Sequence, residues 1–213
     1  MKITEKQLPA DIERTSMQII AQELGDRKFN PQQEPIIKRV IHTTADFEYA
    51  DTLFFSEQAV EKGIAALKNG ANIVTDTQMA KAGINKTVLS HFGGEVFCFM
   101  SDPDVAQQAK ARGTTRAVVS MEKAAALKGP LVFALGNAPT ALIRLYELIE
   151  SGQILPELII GVPVGFVNVI EAKELILSQQ KVSCIVSRGR KGGSNVAAAI
   201  CNALLYQASG RIL

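Results

Sequence analysis

The chain has 213 residues, 47% of them hydrophobic and 21% charged, which is the composition of a globular protein and excludes disordered and fibrous classes. A net charge of +2 gives no overall attraction to nucleic acid or to an anionic membrane, and an aromatic content of 6% argues against a surface that stacks bases. The sequence has no apolar run long enough to span a bilayer and no signal-peptide pattern, so we expect a cytoplasmic protein that binds neither nucleic acid nor membrane.

The first third of the chain predicts a helix, a strand and a second helix. Pro9–Leu24 has a helical rhythm of apolar residues and is closed by Gly25. Ile36–His42 (IIKRVIH) is an apolar run that predicts a strand. Ser56–Asn69 predicts a helix with its first residue as the N-cap.

After these elements, short apolar runs alternate with helices. The runs are rich in Val, Ile and Phe, which is typical of strands buried on both faces: Asn72–Thr75, Val96–Met100, Leu131–Leu135, Leu158–Val162 and Val182–Val186. The helices predicted around them begin near Met79 and continue with Pro103–Arg112, Met121–Leu127, Thr140–Ser151, Val169–Ser178 and Ser194–Ala208. Repeated βα units predict a three-layer α/β/α fold with a mainly parallel sheet of about five strands, in one domain over residues 1–213.

Polar residues follow the predicted strands at the point where each strand ends. Asp76 follows the first run, Asp102 the second and Asn137 the third. Ligands of open parallel sheets bind at the carboxyl ends of the strands. The sequence therefore predicts a site at that edge.

The segment Ser187–Ser194 (SRGRKGGS) carries three cations and three glycines between a predicted strand and a predicted helix. Arginine forks and the backbone N–H groups of a helix start suit carboxylate or phosphate, so we predict anion binding here, with a solvated basic turn as the alternative. The glycine patterns of P-loops and of Rossmann dinucleotide sites are absent, which argues against a nucleotide cofactor.

Two histidines are the natural proton carriers near neutral pH. His42 lies beside Arg39 and is a candidate acid–base group, although a hydrogen-bonded structural histidine fits the same pattern. His91 lies at a predicted helix end, where a contact with that end is favoured. The cysteines, of which Cys184 is typical, lie in apolar surroundings and predict buried thiols. Four closely spaced Cys or His ligands are absent, so no metal site is expected.

Other polar candidates are ambiguous when each is considered alone. Arg14 and Ser16 in the first helix fit an exposed arginine and a neutral helical serine as well as a ligand contact. Arg116 is also ambiguous, because its sequence context alone does not assign it a role. The helix Ser194–Leu205 is apolar on all sides, which indicates either central core or a contact between two copies.

Several segments together resemble the precorrin-8X methylmutase family of cobalamin biosynthesis. They occur in the family's order and span almost the whole chain: Ile12–Ile19 (IERTSMQI), Arg39–Thr43 (RVIHT), Asp46–Asp51 (DFEYAD), Asp76–Gly83 (DTQMAKAG), Gly136–Leu142 (GNAPTAL), Gly161–Val167 (GVPVGFV) and Arg188–Ala198 (RGRKGGSNVAA). Each segment alone is weakly specific, but their combination is highly specific.

The resemblance implies an isomerase that moves a methyl group from ring carbon eleven to ring carbon twelve of precorrin-8X or cobalt-precorrin-8. The shift is intramolecular, so it needs no cofactor, and the product would be hydrogenobyrinate or cobyrinate. The resemblance also implies a three-layer α/β/α fold and a homodimer. It assigns proton donation and acceptance to His42 and substrate contacts to Ser16 and Arg39. Further contacts, placed by motif and charge, are Arg14, Arg116, Arg188 and Arg190.

Two other functions fit parts of the same pattern. A non-catalytic corrinoid carrier would use the same arginines but would need no proton donor. A nucleotide-dependent transferase would use the same α/β scaffold, but the missing phosphate-binding glycines argue against it.

Overall fold

Six strands form one sheet in the part of the chain that the computed structural model describes, residues 9–211. The strands are β1 (Leu53–Phe55), β2 (Asn72–Thr75), β3 (Val96–Phe97), β4 (Leu131–Leu135), β5 (Leu158–Gly161) and β6 (Cys184–Ser187). The helices are α1 (Pro9–Leu24), α2 (Glu34–Thr44), α3 (Tyr49–Thr52), α4 (Ala59–Lys68), α5 (Gln78–Gly83), α6 (Lys86–His91), α7 (Pro103–Arg112), α8 (Arg116–Ala124), α9 (Pro139–Glu150), α10 (Val169–Ser178) and α11 (Ser194–Ala208).

The strands lie in the order β1-β6-β5-β4-β2-β3, and every neighbouring pair is parallel except β1 with β6. In the central pair, Val132 of β4 lies opposite Leu158 of β5. The predicted three-layer fold with a mainly parallel sheet is confirmed, with six strands instead of about five.

Helices cover both faces of this sheet, because successive strand residues point to opposite sides and both sides are apolar. On β4, Val132 and Ala134 pack in the core under α2, α4 and α11, whereas Phe133 and Leu135 pack under α8, α9 and α10. Helix α11 lies inside the first core, with ten of its residues buried. Its apolar surface is therefore used within the chain and does not supply a contact between copies.

The strand predicted over Ile36–His42 is wrong, because this segment belongs to helix α2. Its buried residues are Ile36, Ile37, Val40 and Ile41, spaced as one face of a helix and not as alternating strand positions. Pro35 lies in the first turn, where its missing N–H costs nothing. As a consequence, Arg39 and His42 are one helical turn apart.

The antiparallel strand β1 was not predicted, and its three half-buried residues are too short a run to signal a strand. Ser56 is also not the N-cap of α4, which begins at Ala59 after Gln58. Instead, the Ser56 hydroxyl accepts a hydrogen bond of 2.8 Å from the backbone N–H of Cys184 at the start of β6. This serine therefore fixes the edge of the sheet.

The predicted burial of the cysteines is confirmed: Cys98, Cys184 and Cys201 are buried and unpaired with one another. Among the helices within residues 9–211, none has the length and apolar character needed to cross a membrane.

Candidate active site at the carboxyl edge of the sheet

Arg39 lies where α1, α2 and α11 meet. Its guanidinium donates a hydrogen bond of 2.7 Å to Glu13 of α1 and lies 5.4 Å from the ring centre of Tyr206 of α11. The hydrogen bond from Arg39 lowers the pKa of Glu13, and the charges of Arg39, Arg211 and His42 lower it further. The carboxylate of Glu13 is therefore ionised at neutral pH and holds Arg39 in place.

His42 lies on α2 one turn after Arg39, and its side chain is exposed. Because residues three apart share a helix face, His42 lies on the same side of α2 as Arg39. The helix ends two residues later at Thr44, and the next residue, Ala45, has a left-handed backbone and caps the helix by donating a hydrogen bond of 2.7 Å to the carbonyl of Ile41. The imidazole is therefore open to a ligand and sits on a rigid element.

The two candidates on α1 differ in their surroundings. Ser16 is half-buried, lies one turn after Glu13 and donates its hydroxyl hydrogen to the carbonyl of Ile12 at 2.9 Å. Arg14 is exposed and forms an ion pair with Asp11. Because residues three apart share a helix face, Ser16 lies with Glu13 and Arg39, whereas Arg14 does not.

Lys191 connects the end of α2 to the basic loop after β6. Its ammonium donates hydrogen bonds of 2.6 Å each to Asp46 and Glu48, and both bonds raise the pKa of Lys191. Asp46 comes four residues after His42. Lys191 therefore holds the two segments together, and its charge is already paired with carboxylates of the chain.

The two arginines of the same loop are exposed and differ from Lys191 in their partners. Arg188 lies 5.0 Å from the ring centre of Phe54, and Arg190 lies 5.7 Å from that of Phe166. Within residues 9–211, neither arginine forms an ion pair. Their guanidinium groups are thus held by aromatic rings and remain available to an anionic ligand.

Close backbone contacts join the ends of β2 and β4 to the start of α11, next to the basic loop after β6. A Cβ atom at Gly136 would lie 2.6 Å from the carbonyl oxygen of Gly193, so only glycine allows the segment after β4 to approach the start of α11. Nearby, the hydroxyls of Thr77 and Ser194 lie 2.7 Å apart and join the end of β2 to α11. These contacts bring the predicted carboxyl-edge residues together.

Asp76 is fully buried at the end of β2. Its carboxylate accepts hydrogen bonds from the N–H groups of Gly136, Asn137 and Ala138 at 2.9, 2.8 and 2.6 Å. Burial raises the pKa of Asp76 above its ordinary value, although these hydrogen bonds oppose the rise. The role of Asp76 is to hold the turn that precedes α9.

Arg116 is the first residue of α8 and is exposed. The preceding Thr115 lies 3.2 Å, hydroxyl to hydroxyl, from Thr140 in the first turn of α9. Arg116 is therefore near the carboxyl edge but on the α8–α9 face of the sheet, whereas His42 and Arg39 are on the α2–α11 face.

These elements define an α/β/α protein with exposed arginines at the carboxyl edge of its sheet, a surface suited to a small anionic ligand. The model of the precorrin-8X methylmutase family matches residues 11–207. The chain is 47% identical over 208 residues to the cobalt-precorrin-8 methylmutase of Salmonella typhimurium, with 94% of this chain and 96% of that protein covered. It is 45% identical over 196 residues to the cobalt-precorrin-8 methylmutase of Priestia megaterium, covering 92% and 87%.

A solved structure agrees with this relationship. The precorrin-8X methyl mutase of Thermus thermophilus matches with a TM-score of 0.86 and 41% identity, covering 96% of this chain and 98% of that one. The chain belongs to the precorrin-8X methylmutase family. It is an isomerase of corrin biosynthesis that moves a methyl group within one molecule. The rival interpretation as a non-catalytic carrier is not supported.

Proposed function

We propose that the chain converts cobalt-precorrin-8 to cobyrinate by moving a methyl group from ring carbon eleven to ring carbon twelve. The observation that carries this proposal is the placement of exposed His42 one turn from Arg39 on α2, beside the basic loop after β6. The relatives from Salmonella typhimurium and Priestia megaterium, both named cobalt-precorrin-8 methylmutase, favour the cobalt-containing substrate over the metal-free one.

In this proposal, the arginines bind the carboxylate side chains of the substrate. The substrate is a flat macrocycle with many carboxylate side chains, and guanidinium groups bind carboxylates through paired hydrogen bonds. Arg188 and Arg190 have no acidic partner in the described part of the chain, so they need not release one to bind substrate. Arg39 and Ser16 contact the substrate from the α1–α2 side, and Arg14 and Arg116 are outer contacts that meet the periphery of the ligand.

The proton is supplied and recovered by His42. Its imidazolium protonates the macrocycle near the migrating methyl group and changes the conjugation. The bond from ring carbon eleven to the methyl then breaks as the bond to ring carbon twelve forms, and the ring returns the proton to the imidazole. The composition of the substrate is unchanged, so the reaction consumes no methyl donor.

Incubation with the two forms of the substrate tests this function. With cobalt-precorrin-8, the absorption spectrum is expected to change to that of cobyrinate, faster than metal-free precorrin-8 changes to hydrogenobyrinate. Faster turnover of the metal-free form would reverse the substrate assignment. An unchanged spectrum with both forms, from a protein that still co-elutes with the coloured ligand, would instead support a carrier.

The proposed assembly is a cytoplasmic homodimer. Val164, Phe166 and Val167 are apolar side chains exposed in the loop after β5, and Phe166 is 84% exposed. A cluster of this kind is typical of an interaction surface. Sedimentation at micromolar concentration is expected to give a species of twice the 23.0 kDa chain mass. A single species of 23.0 kDa would contradict the dimer.

A further inference from the structure

Lys173 is a fully buried lysine in the middle of α10, and it points at the basic loop after β6. Its ammonium donates hydrogen bonds to the carbonyls of Gly189 at 2.7 Å and of Lys191 at 2.8 Å. The hydroxyl of Ser187, also fully buried, donates to the same Lys191 carbonyl at 2.8 Å. Two side chains thus hold the loop from below through its backbone.

A buried ammonium is costly, because removal of a charge from water is compensated only by well-placed partners. Burial lowers the pKa of Lys173 to about 8, which reflects this cost. The neighbouring buried positions of α10, such as Ala172 and Ile176, carry apolar side chains. An apolar residue at position 173 would pack without the cost, so the ammonium is best explained by the two carbonyls that it binds.

The same loop is held at further points. The carbonyl of Arg190 accepts a hydrogen bond of 3.2 Å from the N–H of Gly165, so three successive carbonyls, at residues 189–191, bind donors of the chain. Beyond them, the N–H of Gly193 donates to the carbonyl of Val162 at 2.8 Å. The backbone between the two exposed arginines is therefore fixed.

We propose that Lys173, together with Ser187, is a positioning residue for substrate binding, which fixes the loop so that Arg188 and Arg190 meet two carboxylates of the macrocycle at once. The inference rests on the proposed function, since it takes these arginines as carboxylate contacts. Lys173 touches no substrate itself. A rigid loop keeps both guanidinium groups in place before binding, and a loose loop must be ordered by the ligand, which lowers affinity.

The test uses Lys173→Met, which keeps the length of the side chain but removes the ammonium and both of its hydrogen bonds to the loop. KM for cobalt-precorrin-8 is expected to rise about tenfold, the equivalent of one weakened charge-assisted hydrogen bond, with kcat changed less than about twofold. The matched control is Ile176→Ala, which creates a cavity in the same helix and destabilises the protein without touching the loop. Its KM is expected to equal that of the wild type. An unchanged KM in folded Lys173→Met, or an equal rise in the control, overturns the inference.

A second comparison separates positioning from general loss of structure. In the Arg188→Ala, Arg190→Ala background, the arginines that Lys173 positions are gone, so Lys173→Met is expected to raise KM by less than about twofold further. A further tenfold rise would show that Lys173 acts elsewhere, and the inference would fail. If the double alanine variant itself binds like the wild type, the proposed carboxylate contacts fail instead, and the two failures are distinct.

If Lys173→Met does not fold, the variant Ser187→Ala tests the same inference. It removes one donor to the Lys191 carbonyl and leaves the ammonium in place. KM is expected to rise about threefold, and amide hydrogen exchange in residues 188–193 is expected to become faster than in the wild type. Unchanged KM and unchanged exchange would overturn the inference.

Discussion

His42→Ala is expected to lower kcat by about 10²–10⁴-fold while the corrinoid still binds, because a positioned acid–base group contributes a factor of that size. The side chain of His42 is exposed on α2, and within residues 9–211 its imidazole makes no hydrogen bond that the fold depends on. Its removal leaves the pair of Arg39 with Glu13 and the arginines of the basic loop in place. Proton supply and carboxylate binding therefore reside in different side chains.

His91→Ala is the matched control, since His91 is the second histidine of the chain and lies exposed at the end of α6. Its kcat is expected to match that of the wild type. The rate is followed by the spectral change from cobalt-precorrin-8 to cobyrinate, and binding by co-elution of the coloured ligand with the variant. Near wild-type turnover by His42→Ala would remove His42 from the mechanism. Loss of binding would make it a substrate contact and leave the acid catalysis without a candidate.

The convergence of the strand ends at the candidate site could be predicted from the sequence because it follows from topology. Short apolar runs in the sequence predict buried parallel strands. The residues that follow these strands, such as Asp76 and Asn137, then lie at one edge of the sheet, where the carboxyl ends of parallel strands meet. The hydrogen bond from the Asn137 N–H to Asp76 shows these two strand ends in contact. The strand pattern alone was sufficient for this step.

The geometry around His42 could not be predicted in the same way. The run IIKRVIH is rich in β-branched residues, and its propensity for strand conceals the helical spacing of the buried positions. The assignment as a strand would place Arg39 and His42 on opposite faces, because they are three residues apart. In the helix they are one turn apart, so the guanidinium of Arg39 and the imidazole of His42 lie on the same face of α2. The proposed site needs both groups on that face.

Partners distant in sequence were also beyond prediction. Glu13 is 26 residues from Arg39, and in the sequence it is an ordinary acidic residue of a helix. Its spacing of three residues before Ser16 was the available signal for a shared face. Lys173 has the sequence context of a surface cation, and only the packing of α10 under the loop after β6 makes it a buried one.

Asp76→Ala is expected to lower the free energy of unfolding by about 2–4 kcal/mol, because it removes the acceptor of three backbone N–H groups and each buried unpaired group costs about 1–3 kcal/mol. The N–H of Gly136 is buried and would lose its partner, whereas water can reach exposed Asn137. The carboxylate also lies at the start of α9, where a negative charge is favoured by the helix dipole. Unfolding by urea measures the loss.

The control for this variant is Asp51→Ala, which removes the carboxylate of an exposed aspartate instead of a buried one. Asp51 pairs with Arg27 at the surface and its side chain is 65% exposed, so less than about 1 kcal/mol is expected. Asp76→Asn keeps the shape and one acceptor oxygen, and its stability is expected to fall between those of the wild type and Asp76→Ala. A loss for Asp76→Ala no larger than that for Asp51→Ala would mean that the turn before α9 is held by its other contacts, chiefly the approach of Gly136 to Gly193, and not by the buried carboxylate.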